Sequence, residues 1–309
     1  MKLIVSLFSL FFDYNSLGQD INYVYRNETD SSFNSYLEIL PKGEIKGMII
    51  RDFSRLPNNP TKKRYQFTEL AIQNNFLVLI TCTSQGYPEL FMLDESPQML
   101  DEIIQEVVGK YGVPKDKIFM GGISASGTRA LRFVQYCNSG KSKYNTKIAG
   151  VFTVDSPLDM ERFYRSSKHI LQRKAENGML WEAKLMSGLL DSVCGGSPDE
   201  QLASYQNYSV YSYSSPVGGN AALLMSTSLI FYHEPDVDWW LENRSATLLD
   251  INSFDIVGLV GQLKHFKHPD VTLISTQKKG YDHKGERHPH SWSIVDEQQL
   301  MQWILERSE

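Results

Sequence analysis

The chain is short of the features that mark several large protein classes. Its three cysteines, Cys82, Cys137 and Cys194, form no close pair and no metal-ligand spacing. That argues against a disulfide-stapled scaffold or a zinc finger. Basic residues are not in excess: 31 Lys and Arg stand against 36 Asp and Glu, a formal net charge of −5. The electrostatic footprint of a nucleic-acid-binding domain is therefore missing, and the runs Lys62-Lys63-Arg64 and Lys278-Lys279 are short enough to be solvated faces. The apolar run Leu3 to Phe12 is about half the ~20 residues that span a bilayer, so a membrane anchor is not expected. Internal repeats, low-complexity segments and a G-x-G-x-x-G dinucleotide fingerprint are all missing.

What is present begins at the N-terminus. Lys2, the apolar run and then Ser16-Leu17-Gly18 follow the order of a secretory signal over residues 1–18, with Gln19 as the expected first mature residue. A secreted or periplasmic location is the expectation, and three acceptor triplets, at Asn27, Asn207 and Asn243, suit export. The full chain has the hydrophobic share (41%) and charged share (22%) of an ordinary globular protein, and residues 19–309 are expected to be one domain with an insertion.

Apolar runs then alternate with helical periodicity. Lys46–Ile50, Phe76–Cys82, Lys117–Met120, Ile148–Val154, Ser228–Tyr232 and Val271–Ile274 read as strands. The continuously apolar, β-branched run Phe76–Cys82 is what a strand covered on both faces requires. Helical segments are expected over Tyr65–Asn74, Met99–Tyr111, Ser126–Tyr136 and Phe254–Leu263, and Ser293–Arg307 should close the chain as an amphipathic helix. This alternation predicts βαβ units and a mostly parallel sheet. It breaks between about 157 and 220, first helical and then rich in Tyr205, Tyr208, Tyr211 and Tyr213, as expected of a cap above the sheet.

The chemistry concentrates in Lys117-Ile118-Phe119-Met120-Gly121-Gly122-Ile123-Ser124-Ala125-Ser126-Gly127-Thr128-Arg129-Ala130. An apolar strand runs into a turn of small residues and directly into a helix. A serine exposed on so sharp a turn needs small neighbours two residues to either side, and Gly122 and Ser126 meet that need around Ser124. The helix start brings backbone N–H groups and a positive dipole end to the same place. Ala125 is thus expected to give one oxyanion N–H.

A serine hydroxyl needs a base and the base needs an orienting carboxylate. Gly280–Trp292 carries His283, His288 and His290. His290, against the terminal helix, is best placed, with His288 second. With Asp282 and Glu286 the three histidines also allow a metal reading, but no second ligand cluster accompanies them, and none is expected. For the acid, Asp236 lies just past a strand end and is preferred to Asp238, which suits the first turn of the next helix. Asp155, ending the previous strand, is a third possibility.

Lys117–Ala130, Tyr232–Asp238 and His290-Ser291-Trp292 together resemble the α/β-hydrolase superfamily, closest in look to its secreted feruloyl-esterase-like and esterase D-like branch. The resemblance runs from roughly Leu37 to Ile304 outside the cap. It implies an α/β fold with a mostly parallel central sheet, helices on both faces and a cap, and it implies Ser124, Asp236 and His290 as the triad. The implied reaction is hydrolysis of a carboxylic ester through an acyl-enzyme, without metal or organic cofactor. A peptidase or amidase with the same triad, or a silent ligand-binding hydrolase fold, are the alternatives. Esterases of this type carry a glycine-rich turn after the early strand, where this chain has Arg51-Asp52-Phe53-Ser54. Phe53, or else Ser54, is expected to give the second oxyanion N–H. The expected partner is a small-molecule or glycan-linked ester substrate, and the tyrosine-rich cap suggests an aromatic or sugar-linked one.

Overall fold

The computed structural model describes residues 20–27, 30, 33–57, 66–84, 95–173 and 177–309. The expected signal segment, residues 1–18, lies outside them. Two strands absent from the sequence reading open the described chain, β1 (Ile21–Tyr25) and β2 (Ser35–Ile39). Next come β3 (Gly47–Asp52), α1 (Gln66–Gln73), β4 (Phe76–Cys82), α2 (Ser96–Tyr111), β5 (Ile118–Ile123), α3 (Ala125–Asn138) and β6 (Gly150–Val154). The insertion holds α4 (Met160–Gln172), α5 (Asn177–Cys194) and α6 (Pro198–Tyr208). The sheet resumes with β7 (Ser228–His233), α7 (Val237–Arg244), α8 (Asn252–His265) and β8 (Val271–Ser275), and α9 (Glu297–Glu306) closes the chain.

All eight strands form one sheet in the order β1-β2-β4-β3-β5-β6-β7-β8. β2 pairs antiparallel with both β1 and β4, and every other neighbouring pair is parallel. Parallel strands need crossovers, and α1, α2, α3 and α8 supply them. The strands are apolar on both faces because both faces are covered. Leu100 and Ile103 of α2, Leu131 and Phe133 of α3, and Leu259 of α8 fill one side with Met48, Ile50 and Phe231. Phe67 of α1 and Leu300, Trp303 and Ile304 of α9 fill the other with Ile49, Val78, Phe119 and Phe152.

The cap has its own small core of Met160, Tyr164, Met186, Leu190, Cys194 and Tyr205. Helix α4 is fastened to the body at both ends. At its start the buried Asp255 carboxylate of α8 accepts from the N–H groups of Leu158 (2.9 Å) and Asp159 (3.1 Å) and pairs with Arg162. At its end Asp250 takes Arg173 at 2.6 Å and His169 at 3.2 Å. The three cysteines are free thiols, Cys82 and Cys194 buried, and no described helix is long and apolar enough to cross a membrane.

Candidate active site

At the C-terminal edge of β5 the chain turns within one residue. The Ser124 N–H still donates to the Val154 carbonyl of β6 (2.9 Å), while the Ser124 carbonyl already accepts from the N–H groups of Gly127 and Thr128. Ser124 bridges strand and helix with φ 55° and ψ −128°, a conformation that costs a non-glycine residue about 1–3 kcal/mol and persists only where its surroundings enforce it. The small neighbours are obligatory. A Cβ on Gly122 would lie 2.4 Å from the Ser126 Cβ, and one on Gly127 would lie 2.1 Å from the Ser156 Oγ. The strained residue of this turn is Ser124 itself.

The histidine and its carboxylate require one correction. His290 Nδ1 lies 2.6 Å from Asp155 Oδ2, not beside Asp236. Asp155 sits at the end of β6, its N–H bonded to the Tyr232 carbonyl (2.9 Å) and its own carbonyl held by Asn252 Nδ2 (2.9 Å). Asp236 instead caps α7, accepting from the Trp239 N–H, and takes Arg287 at 2.6 Å. Asp238 is exposed in the first turn of α7. Glu234, two residues before Asp236, organises the histidine loop. It is 2% exposed, pairs with Arg287 and accepts from Thr276 Oγ1 (2.8 Å), the Lys279 N–H (2.9 Å) and the Gly280 N–H (3.3 Å). The end of β7 thus anchors the loop, and the end of β6 orients the imidazole.

Burial acts to lower the His290 pKa, but the hydrogen bond and charge of Asp155, with the charge of Glu182, outweigh it and hold the imidazole above its ordinary value. Burial, then the neighbouring His290, push His288 the other way. His288 packs against the rings of Trp239 and Trp240, with its Nδ1 3.0 Å from the His290 carbonyl. His283 is exposed, and among the described residues no group of three His, Cys, Asp or Glu side chains converges as metal ligands.

Ser124, Ala125, His288 and His290 line one cavity of about 400 Å³ beneath the cap. Its lining combines apolar Phe163, Ile170, Met179, Ala183, Met186 and Ile251 with polar Ser166, Ser167, Glu182, Arg244, Asp250 and Asn252. Among the described residues nothing accepts the Ala125 N–H, which leaves it for a ligand. Phe53 does not fit the oxyanion role expected of it, because its N–H donates to the Thr81 carbonyl at 2.9 Å and continues the sheet ladder. The first N–H beyond the ladder belongs to Ser54. None of the four cap tyrosines lines the cavity. Tyr205 packs inside the cap core, Tyr211 is buried against Gly258, and Tyr213 lies exposed against Phe254. Tyr208 packs at the edge of the cap core.

No protein-family model matches the chain, and no curated protein matches it in sequence. Solved structures do resemble it. An inhibited esterase B from Lactobacillus rhamnosis aligns with a TM-score of 0.60 at 12% identity, over 94% of this chain and 88% of that one. Carboxyl esterase 2 from the fungus Tuber melanosporum gives 0.55 at 12%, over 94% and 86%. The acylaminoacyl peptidase of Pyrococcus horikoshii gives 0.54 at 14%, over 88% of this chain but only 38% of that one, so this chain spans well under half of that protein. With the strand order above, these similarities show that the chain has the α/β-hydrolase fold.

Proposed function

We propose that the protein is a serine hydrolase that cleaves small carboxylic esters bearing an apolar group, through an acyl-enzyme. The observation that carries this reading is the strained Ser124, opening onto the same cavity as an imidazole whose far nitrogen is held by a buried carboxylate. Nδ1–H of His290 donates to Asp155, which leaves Nε2 to take the proton of Ser124 Oγ as Oγ attacks the ester carbonyl. The carbonyl oxygen becomes an oxyanion facing the Ala125 N–H and the positive end of α3. When the C–O bond to the alcohol breaks, His290 returns the proton to the departing oxygen. Water then attacks the acyl-serine by the same route, giving the acid and restoring Ser124. Asp155 replaces Asp236 as the acid of this triad.

The apolar lining residues support an acyl or alcohol group of several carbons, since apolar area removed from water contributes about 25 cal/mol per Å². The tyrosines that would have favoured a glycan moiety do not line the cavity, which removes the ground for preferring one.

The test is fluorophosphonate labelling of the purified protein beside Ser124→Ala, followed by p-nitrophenyl esters of increasing acyl length and matched anilides. Labelling at Ser124, with butyrate to octanoate esters turned over faster than acetate and much faster than the anilides, is the expected result. Faster anilide hydrolysis would make it an amidase. A folded protein that neither labels nor hydrolyses would be a ligand-binding hydrolase fold.

A further inference from the structure

The turn after β3 lacks the glycines that shape it in similar esterases, and the residues in their place are tied to both other parts of the site. Successive strand residues face opposite sides of a sheet, and Arg51 and Asp52 use this directly. Asp52 points into the α2–α3 layer. It is fully buried, and so is its partner Arg129 of α3, with side chains 0% and 3% exposed. Arg129 Nε donates to Asp52 Oδ2 at 2.6 Å, Thr81 Oγ1 donates to Oδ1 at 2.7 Å, and Thr83 Oγ1 donates to Oδ2 at 3.0 Å. Arg129 also donates to Thr83 Oγ1 at 2.7 Å. The Asp52 main chain is held as well: its carbonyl accepts from Ser126 Oγ at 2.6 Å, two residues past Ser124. Arg51 points into the opposite layer, its guanidinium 4.6 Å from the ring centre of Trp292 and 5.2 Å from that of Phe53. Trp292 follows His290 by two residues.

A buried ion pair is a poor source of net stability, because desolvating two charges offsets most of their attraction. What a pair with this many fixed hydrogen bonds does provide is position. Resting on the serine-hydrolase reading above, we infer that Asp52, Arg129 and Ser126 are positioning residues for the oxyanion. They fix the end of β3 against the first turn of α3, so that the Ser54 N–H faces the same oxygen as the Ala125 N–H. A charged clamp does here what a glycine-rich turn does elsewhere.

Two variants separate position from mere folding. Ser126→Ala keeps the small residue that the elbow needs and both buried charges, and removes only the hydroxyl tie to the Asp52 carbonyl. The double variant Asp52→Val with Arg129→Met removes both charges together, a replacement that buried pairs commonly tolerate in folding. The readouts are kcat and KM on a p-nitrophenyl ester and the inhibition constant of a trifluoromethyl ketone, whose serine adduct carries the tetrahedral oxyanion. Losing one oxyanion donor costs on the order of 100-fold in kcat. The double variant should approach that loss with KM nearly unchanged, and Ser126→Ala should lose part of it. Ketone affinity should fall in parallel with kcat in both. Wild-type kcat in Ser126→Ala, or a kcat loss with unchanged ketone affinity, overturns the inference while leaving the hydrolase reading intact. A wild-type protein that does not label at Ser124 overturns both.

Discussion

Exchanging Asp155 for Asn, beside Asp236 for Asn, tests which carboxylate serves His290. The two residues lie at the ends of neighbouring strands, but only Asp155 is within hydrogen-bond reach of the imidazole, at 2.6 Å. An amide at 155 keeps the shape and removes the charge. It also presents an N–H to Nδ1, which favours the tautomer with its proton on Nε2, facing the serine and unable to accept its proton. Loss of the correct tautomer in a triad costs roughly 10,000-fold in kcat, or about 5 kcal/mol of transition-state stabilisation. Asp236→Asn should behave differently. Asn caps a helix about as well as Asp, and Arg287 keeps its buried partner Glu234. What is lost is a partly exposed ion pair, worth at most about 1 kcal/mol. The assay is kcat/KM on one p-nitrophenyl ester, with circular dichroism to confirm the fold of both variants. An Asp155→Asn protein that keeps a tenth of wild-type activity, or an Asp236→Asn protein that loses a thousandfold, refutes the assignment.

Gly122→Ala should lower stability by about 1–3 kcal/mol and slow fluorophosphonate labelling, because the new methyl would meet the Ser126 Cβ at 2.4 Å and displace the first turn of α3. Gly109→Ala in α2 has nothing within 4 Å of its added Cβ and should be neutral or stabilising in the same thermal melt. The acid limb of kcat/KM against pH reports His290, which must be neutral to accept the proton of Ser124. Since its pKa is raised, activity should grow as pH climbs through a value above the 6.5 of an unperturbed imidazole. Glu182→Gln removes a charge that favours the imidazolium, so the limb should move to lower pH. A limb that stays in place or moves up would show that Glu182 does not act on His290.

The parallel half of the sheet was legible because buried strands are written as unbroken apolar runs, and the expected span Phe76–Cys82 is the observed β4. β1 and β2 were not, for a physical reason. β2 is Ser-Tyr-Leu-Glu-Ile, and its fully buried Glu38 reads as a solvated residue until Lys110 (2.9 Å) and Tyr111 (2.7 Å) are seen to hold it. α2 begins three residues before its expected start, since Ser96-Pro97 reads as a turn but supplies the proline that suits a first helical position. The elbow was legible because steric demand selects residue types at fixed spacing. That His290 shares a cavity with Ser124 was foreshadowed by its place before the last helix. The carboxylate that His290 meets was not, because Asp155, Asp236 and Asp238 each end a strand or open a helix, and only the spatial approach of loop 276–291 to β6 distinguishes them. Phe53 was misread since one residue of sheet register decides whether an N–H belongs to the ladder or to a ligand.

The double fastening of α4 has a consequence for how a ligand enters. With Arg162 on Asp255 at one end and Arg173 on Asp250 at the other, this helix is part of the frame around the cavity, and it cannot lift without exposing paired charges. The same fastening keeps the chain just after Asp155 still, so admitting substrate need not disturb the carboxylate that steers His290. On the hydrolase reading, passage falls to the lining away from α4, where Glu182 of α5 is exposed and Trp240 and Arg244 of α7 are partly exposed. On that reading, a doorway there would bring the incoming molecule first to the charges of Glu182 and Arg244.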